Sequence, residues 1–565
     1  MTDTRRMILW VIFSMSLFGL WDSWQHFNGH SSIFFGPSQT APALPKGIPN
    51  DLPAASRALN PGAPANPVAA GAIQDGALAP SVGAATPIQT VSIRTDVLVV
   101  DVSSSGASID RVELLKHRDT LDPKKNMVLL EDTAEHVYVA QTGLVGAPGL
   151  PSHHTNFNVV PGPTSLQDGQ DQLEVSFQAE SGGVRLVKTL IFTRGSYEIG
   201  VRHQITNLSD QPIDPKLYLQ LVRDASKPEG TMRFYSPYYG PALYSAEDKF
   251  QKISFEDIEK GKDRATQARN SKVGWVGILQ HYFAAIWIPK DGEERSYLTE
   301  EIKGTPPTYR AAALMDLGPI APKASATNVA ELFVGPEEQR LLEKVAPGLD
   351  LIRDYGWTTI LARPVFWLLE KLHSLLGNWG AAIIMLTVLI KSAFYPLSAA
   401  SYRSMARMKN VAPRLKVLQE KYKDDRAKLN QAMMELYRTE KINPAGGCLP
   451  VLVQIPVFIS LYSVLSASVE MRGAPWIGWI HDLAAPDPFY ILPAVMMVSM
   501  FVQYKLNPAP PDPVQAKMMM IMPLVFGVTF FFFPAGLVLY WVVNNLLSIA
   551  QQWQISRMHG GAKKT

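Results

Sequence analysis

The residue best placed to do chemistry in this sequence is a lysine inside an apolar stretch. Lys391 lies in GAAIIMLTVLIKSAFYP (380–396), which is long enough to cross a bilayer. A charge at that depth costs ~2.5 to 3.5 kcal/mol on insertion scales, so such residues usually mark a functional site. Thr387, Tyr395 and Ser398 lie at i−4, i+4 and i+7 and predict one polar helical face. The alternative is a long side chain that snorkels toward the headgroups.

Uncharged polar residues recur in the other apolar segments of the C-terminal third. They are Gln454 and Ser463, then Ser499 and Gln503, and finally Tyr540, Asn544, Ser548 and Gln551. Hydrocarbon offers these groups no hydrogen-bond partner, so they predict either a wet groove or hydrogen bonds between helices. The same segments contain no Asp or Glu, and the chain has no ATP-binding motif, which argues against a pump.

The composition points away from disulfide, metal and nucleophile chemistry. The 565 residues include one cysteine, Cys448, so no intrachain disulfide can form. We find no metal-ligand spacing, Gly-rich phosphate loop or nucleophile elbow. His153 and His154 lie in a loop rich in Pro and Gly, where we expect a solvated surface pair. The sequence therefore predicts no cofactor, no metal and no catalytic residue.

The N-terminal residues predict a membrane anchor followed by a tether. Arg5 and Arg6 precede a mostly apolar stretch, and tryptophans follow it in place of a cleavage site. We interpret residues 1–28 as an uncleaved signal anchor with its N-terminus inside the cell. Residues 29–90 are dense in Pro, Ala and Gly, which predicts a flexible linker.

Residues 91–340 have the period-two pattern of β-strands. Runs such as LEVSFQA (173–179) and VRLVKTLIFT (184–193) are separated by turn signals, with no helical pattern between them. This order predicts a large all-β sandwich. Such a domain also suits a membrane-anchored carbohydrate-binding or mutarotase-like enzyme, although no His, Glu and Asp residues can be placed together in it.

The remaining sequence predicts an α-helical membrane bundle. Residues 349–376 mix large apolar side chains with charged ones, as in an amphipathic helix that lies in the membrane interface. Residues 377–556 hold five further apolar segments, which we place as spans at about 378–397, 448–468, 488–504, 516–533 and 536–555. With the signal anchor, the chain would cross the membrane six times.

Basic residues orient these spans. Lys and Arg are dense between the first two of the five spans, whereas the next loop has only Arg472 beside three acidic residues. By the positive-inside rule, the first of these loops is cytoplasmic, as are both chain termini and the basic tail 557–565. The β-sandwich then lies on the opposite side.

Residues 400–443 predict a cytoplasmic hairpin of two antiparallel helices. Pro413 suits the first turn of one helix, and Asp424 and Asp425 suit the turn and the N-cap of the other. Its basic residues predict either a partner-binding face or a solvated face near anionic lipid. Those assigned to this face are Arg414, Lys416, Lys421, Lys423, Arg426 and Lys428.

Several motifs resemble those of the YidC/Oxa/Alb family of membrane protein insertases, in its Gram-negative bacterial form. They include DYGW (354–357), SAFYPLSAASYRSMARM (392–408), EKINPAGGCLPVLVQIPVFISLY (440–462), DPFYILP (487–493) and FPAGLVLYWVVNN (533–545). The resemblance implies a five-helix core around a hydrophilic groove that is open to cytoplasm and lipid. It also implies a bacterial inner-membrane protein that inserts and helps fold nascent membrane proteins, alone or with the Sec translocon.

The same resemblance assigns roles to individual residues. Lys391 stands where the family usually has a groove arginine, which keeps the charge but loses the planar fork. Thr387, Tyr540 and Trp541 match positions that contact the inserting helix, with Trp541 in place of a common tyrosine. The groove residues we expect are Lys391, Thr387, Gln454, Ser463, Tyr540, Trp541, Asn544 and Ser548.

A groove of this kind works without a covalent step. Water, amides and one cation shorten the dry path for a polar segment, while the apolar segment of the client moves into lipid. We therefore expect no enzyme, and expect as partners nascent membrane proteins, the lipid bilayer, ribosome and targeting factors, and the Sec translocon. Sequence-specific nucleic-acid binding is not expected. A transporter is disfavoured because charged residues along a transport path are missing.

Overall fold

The structure is a computed structural model. It describes residues 88–120, 122–228, 238–261, 271–353, 355, 358–422, 425–440, 449–507 and 513–559. The predicted signal anchor, nearly all of the predicted linker and most of the predicted basic tail lie outside the described residues. The chain divides into two compact units, with the change between residues 335 and 350. We refer to them as the β unit and the helical unit.

The β unit is built from antiparallel strands. They are β1 (Thr90–Arg94), β2 (Leu98–Ser103), β3 (Ser108–Arg118), β4 (Asn126–Asp132), β5 (Val137–Val145), β6 (Asn158–Val159), β7 (Gln172–Ser181), β8 (Val184–Thr193), β9 (Glu198–Asn207), β10 (Lys216–Asp224), β11 (Tyr239–Ser245), β12 (Lys249–Lys252), β13 (Gly274–Gln280), β14 (Phe283–Pro289), β15 (Arg295–Ile302), β16 (Thr308–Asp316) and β17 (Ser325–Pro336). One sheet has the order β1-β2-β3-β4-β5-β10-β16-β15, and the other has the order β12-β11-β13-β14-β17-β9-β8-β7-β6.

Local sequence explains the hairpins, and buried side chains join the two sheets. Gly182 and Gly183 both have positive φ and connect β7 to β8 by a two-residue turn, which only glycine adopts easily at both positions. Between the sheets, the Trp287 indole donates to the Gln220 carbonyl at 3.0 Å. The two sheets therefore pack face to face over one core, and the predicted large β-rich domain is confirmed.

One short helix lies between strands of the β unit, another follows β17, and long helices form most of the helical unit. The short ones are α1 (Phe255–Glu259) and α2 (Gln339–Val345). The long ones are α3 (Thr359–Leu376), α4 (Trp379–Ala393), α5 (Tyr395–Lys421), α6 (Arg426–Thr439), α7 (Leu449–Ala467), α8 (Ile491–Leu506), α9 (Pro513–Thr529) and α10 (Ala535–His559). The core shared by α3, α4, α7, α8 and α10 includes the buried residues Leu369, Leu386, Leu461, Met496 and Leu539. A β-rich domain followed by a helical region is the predicted order.

The first predicted span differs from the structure at its cytoplasmic end. α4 ends at Ala393, and α5 leaves it at a bend of 66°. Pro396 causes this break, because its ring blocks the helical hydrogen bond and fits the first turn of a new helix. The expectation that Tyr395 and Ser398 share one helical face with Lys391 is therefore wrong.

Two other helix boundaries also differ from prediction. Pro413 lies inside α5 rather than in the first turn of a separate helix. The position is exposed, so water can satisfy the carbonyl that a proline leaves unbonded. The amphipathic helix predicted over 349–376 begins only at Thr359, and Leu349–Ile352 forms a 3-10 turn before it.

Length and hydropathy together decide which of the described helices could span a membrane. No single one of them is both long and apolar enough to cross a bilayer, whereas the bent pair α4–α5 meets that test as a pair. Shorter apolar helices run over Val453–Ala467, Ile491–Leu506 and Lys517–Phe532. The number of spans stays a prediction.

α5 and α6 form a hairpin with an apolar seam. Val411 and Leu415 of α5 pack against Tyr437 of α6. Asp425 caps α6, since its side chain accepts a hydrogen bond from the Lys428 amide at 3.1 Å. Asp424 lies outside the described residues.

Candidate functional site

Lys391 is the centre of a hydrogen-bonded cluster that joins three helices. It projects from α4 and is 8% exposed. Its ammonium donates to Ser548 Oγ of α10 at 2.7 Å and to Gln454 Oε1 of α7 at 3.4 Å. Gln454 Nε2 in turn donates to Asn544 Oδ1, and Ser548 Oγ donates to the Asn544 carbonyl at 2.7 Å. We call Lys391, Gln454, Asn544 and Ser548 the lysine cluster.

The lysine cluster solvates its cation without neutralising it. Both hydrogen-bond partners of the Lys391 ammonium are neutral oxygens, and no carboxylate of the described residues forms an ion pair with it. A lysine ammonium has three donors and no acceptor, so oxygens are the atoms that suit it. The positive potential of Lys391 therefore remains available to an incoming anion.

A small cavity adjoins Lys391. Its polar lining comes from Lys391, Gln454 and Ser398, and the rest is apolar: Ile390, Phe394, Leu397, Val453 and Val457. Ser398 reaches this cavity from α5, past the bend, rather than along one continuous helix. A cation in such surroundings attracts negative charge over a greater range than one in bulk water.

Two further predicted groove residues lie one turn away from the cluster. Thr387 precedes Lys391 on α4, and its buried hydroxyl donates to the Ile383 carbonyl at 2.7 Å. Tyr540 precedes Asn544 on α10 and is also buried. Tyr540 also belongs to the apolar core of the helical unit.

The structure does not bring Ser463 and Trp541 to the lysine cluster. Ser463 bonds to the Ile459 carbonyl and receives a hydrogen bond from Thr358 at 3.4 Å. Nine residues separate it from Gln454, which places it about half a turn round the helix. The Trp541 ring packs at 4.8 Å from that of Phe458. Client contacts of these two residues stay a prediction.

The basic face of the hairpin is exposed and partly paired. Arg414 forms an ion pair with Glu440 at 2.7 Å, and Lys428 forms one with Asp425 at 3.2 Å. Lys416 and Lys421 are exposed on α5. Lys423 and the side chain of Arg426 lie outside the described residues. A partner role for this face stays a prediction.

Sequence analysis missed a second buried cation in the helical unit. Both terminal nitrogens of Arg353 bond to Glu470, at 2.7 and 3.0 Å, and one of them also donates to Ser468 Oγ at 2.8 Å. The guanidinium lies 4.2 Å from the centre of the Phe366 ring. We call Arg353, Glu470 and Ser468 the arginine cluster. No local sequence pattern signals it, because Arg353 is 117 residues from Glu470 in the chain.

Two amides of α10 that the analysis also missed bond to α8 and the residue after it. Asn545 Nδ2 donates to Ser499 Oγ at 3.2 Å, and Gln552 Nε2 donates to Asn507 Oδ1 at 3.0 Å. The two amides are seven residues apart, a spacing that places them on one helical face. α10 therefore has polar contacts on two sides.

Known proteins match both units. The family models that match are the YidC periplasmic domain, over residues 90–368, and the 60Kd inner membrane protein, over residues 371–562. The membrane protein insertase YidC of Cupriavidus necator is 56% identical over 563 residues, 99% of each chain. The chain belongs to the YidC family of membrane protein insertases. The membrane protein insertase YidC of Bordetella pertussis is likewise 56% identical over 560 residues, 98% of each chain.

Membership in the YidC family confirms the resemblance found in the sequence. A crystal structure of an active YidC insertase is similar over 83% of this chain and 94% of that chain, with 19% identity and a TM-score of 0.38. YidC proteins are non-enzymatic inner-membrane proteins with a periplasmic β domain. Because the relatives match the full length and not the β unit alone, the carbohydrate-enzyme alternative is not favoured.

Proposed function

We propose that this protein inserts nascent membrane proteins into the bacterial inner membrane, and that the lysine cluster is the floor of a hydrophilic groove. The observation that carries this proposal is the pairing of Lys391 with neutral oxygens only, among the described residues. A buried cation is expensive to keep without a counter-charge, so a position of this kind in a membrane helix indicates function.

The proposed groove acts by shortening the dry path of a polar client segment. An acidic residue of the client that comes within ~4 to 6 Å of Lys391 gains roughly 3 to 4 kcal/mol at an effective dielectric of about 20. Until then, Ser548 and Gln454 accept hydrogen bonds from the ammonium. The ammonium then exchanges these two oxygens for the client carboxylate. Thr387, Tyr540 and Asn544 contribute further polar atoms along the same wall.

The apolar part of the client moves directly into lipid. Large apolar side chains are exposed on α8 and α9, among them Val498, Leu524 and Val525, which supports a lipid-facing wall. In this arrangement the chain crosses the membrane six times, with the hairpin and both termini in the cytoplasm and the β unit in the periplasm.

The exposed hairpin is the proposed docking point for cytoplasmic partners. Lys416 and Lys421 give it positive charge close to the membrane, which suits a ribosome or a targeting factor. We also propose that the protein works alone or with the Sec translocon.

Substitution of Lys391 tests this proposal in proteoliposomes. Two clients are compared that differ only in having an acidic or a neutral translocated tail. Lys391→Arg should retain insertion of both, because charge matters more than shape. Lys391→Ala should impair the acidic-tail client most, and Lys391→Glu should be worse and be partly rescued when that tail is made basic.

Ser392→Ala is the matched control, because Ser392 neighbours Lys391 on α4 but is exposed. It should leave both clients unchanged. Equal insertion of the two clients by Lys391→Ala would rule out the attractor role and favour a snorkelling lysine.

A further inference from the structure

The loop between α7 and α8 is fixed to the start of α10. The Ala535 amide donates to the Ala485 carbonyl at 2.8 Å, and the Gly536 amide donates to the Leu483 carbonyl at 2.9 Å. These bonds give the loop a rigid base. Any side chain that the loop presents outward is therefore held at a defined place.

Asp487 organises the end of this loop. Its carboxylate is buried and accepts three hydrogen bonds. The donors are the Trp479 indole at 2.9 Å, the Phe489 amide at 3.0 Å and the Leu492 amide at 2.7 Å. Two of them are backbone groups at the entry to α8, where the N-cap residue Tyr490 offers no side-chain hydrogen bond. Asp487 therefore caps α8 from outside the helix.

Large apolar side chains are exposed at and near the capped turn. Phe489 is 67% exposed, and Tyr490, Ile491 and the nearby Phe532 are also exposed. Tyr490 has a φ of 56°, in the left-handed region, which costs a bulky residue roughly 1–2 kcal/mol. Its ring lies 5.3 Å from that of Phe531. We call Phe489, Tyr490, Ile491 and Phe532 the apolar collar.

We propose that the apolar collar lies in the boundary between headgroups and acyl chains of the outer leaflet, and that Asp487 positions it there. This rests on the proposed function, in which α8 and α9 face lipid. The collar is continuous with the exposed apolar residues Val495 and Val498 of α8. Residues 488–504 carry no charged side chain, and aromatic rings favour the membrane interface.

The collar sets the depth of the lipid-facing wall. The loop before the collar is hydrogen-bonded to the start of α10. Asn507, just after α8, is hydrogen-bonded to Gln552 near the end of α10. α8 is therefore held at both ends against α10, and the collar fixes that pair relative to the outer leaflet.

Depth-dependent fluorescence quenching tests the lipid contact. In a Cys448→Ser background, Phe489→Cys carries an NBD label, and the full chain is reconstituted into vesicles of phosphatidylethanolamine and phosphatidylglycerol. We expect blue-shifted emission, strong quenching by lipids with a doxyl group near the carbonyls, and weak quenching by iodide. The control label at Asp168→Cys, on an exposed loop of the β unit, should show the reverse.

Iodide quenching at position 489 equal to that at position 168 would overturn the proposal. Protection that appears only when a client is added would also overturn it, because the collar would then be a client surface. The label pattern should persist in Lys391→Ala, so loss of insertion in that variant and loss of the lipid contact are separate results.

The role of Asp487 is tested by substitution in the labelled protein. Asp487→Asn removes one acceptor, and Asp487→Ala removes all of them. Both should raise iodide quenching at position 489, and Asp487→Ala should raise it more. His481→Asn is the matched control, because His481 lies in the same loop but is exposed and outside the collar, and the substitution should leave the label in lipid. Unchanged quenching in both Asp487 variants would show that Asp487 does not position the collar.

Discussion

Lys391 and Arg353 are both buried cations of the helical unit, and their surroundings differ in one respect. Arg353 meets the carboxylate of Glu470 through two hydrogen bonds, whereas Lys391 meets a serine hydroxyl and a glutamine amide. The carboxylate cancels the field of Arg353 at short distance. The neutral oxygens leave the field of Lys391 nearly intact.

This difference separates a structural charge from a functional one. A paired buried ion contributes little net stability, but it becomes very unfavourable when its partner is removed. An unpaired cation loses its neutral partners at small cost and gains most from an incoming anion. The arginine cluster therefore holds helices together, and the lysine cluster is suited to exchange partners.

The largest expected effect comes from breaking the arginine cluster on one side. Glu470→Gln and Arg353→Met should each destabilise the helical unit by about 3–5 kcal/mol, because each leaves a charge or polar group buried without its partner. The double variant Arg353→Met with Glu470→Leu should recover much of this loss. Unfolding of the purified protein in detergent measures both.

The matched control is Arg363→Met. Arg363 pairs with Asp350 at 3.5 Å on an exposed surface, where removal should cost only about 0–1 kcal/mol. A cost for Arg353→Met as small as that for Arg363→Met would contradict the structural role of the arginine cluster.

A third buried cation, Lys188 in the β unit, sharpens the comparison by a different route. Its amine donates to the carbonyls of Gly106 and Thr142, at 2.5 and 2.7 Å, and faces His203 across the β8–β9 pair. Burial lowers the pKa of Lys188 to about 7 from 10.5. Lys188 thus loses its proton more readily than a solvated lysine does.

This shift predicts a pH dependence of the β unit. Between pH 7 and about 10, the unfolded chain holds a proton on Lys188 that the folded chain lacks, so raising the pH stabilises the folded state by up to about 1.4 kcal/mol per pH unit. His203 does not contribute there, because burial lowers its pKa to about 3. Lys188→Met should lose this contribution to the slope.

Thermal unfolding of the β unit within the full-length protein, followed at several pH values, measures that slope. Lys125→Met replaces an exposed lysine and should keep the wild-type slope. An identical slope in Lys188→Met and the wild type would mean that Lys188 stays charged when buried.

Exposed cations give the smallest effect on stability. Replacing Arg414, Lys416 and Lys421 with glutamate should change the unfolding free energy little, since solvent screens these charges. It should weaken co-sedimentation with translating ribosomes, while a triple glutamine variant should weaken it less. Unchanged co-sedimentation in the glutamate variant would leave these residues as a solvated face only.

Regular spacing along a helix made part of the lysine cluster predictable. Asn544 and Ser548 are four residues apart on α10, and that period placed both beside a neighbouring helix. The same logic failed for Tyr395, because Pro396 ends the helix on which the count was based. Neither the order of strands in the sheets nor the pairing of Arg353 with Glu470, 117 residues apart, has a local signal.

The bend at Phe394 directs the hairpin away from α4, beginning beside the groove. α5 has 27 residues and is therefore about 40 Å long. Its far end therefore lies well away from Lys391, which is three residues from the bend. A bulky cytoplasmic partner can bind at the hairpin tip without reaching the groove floor.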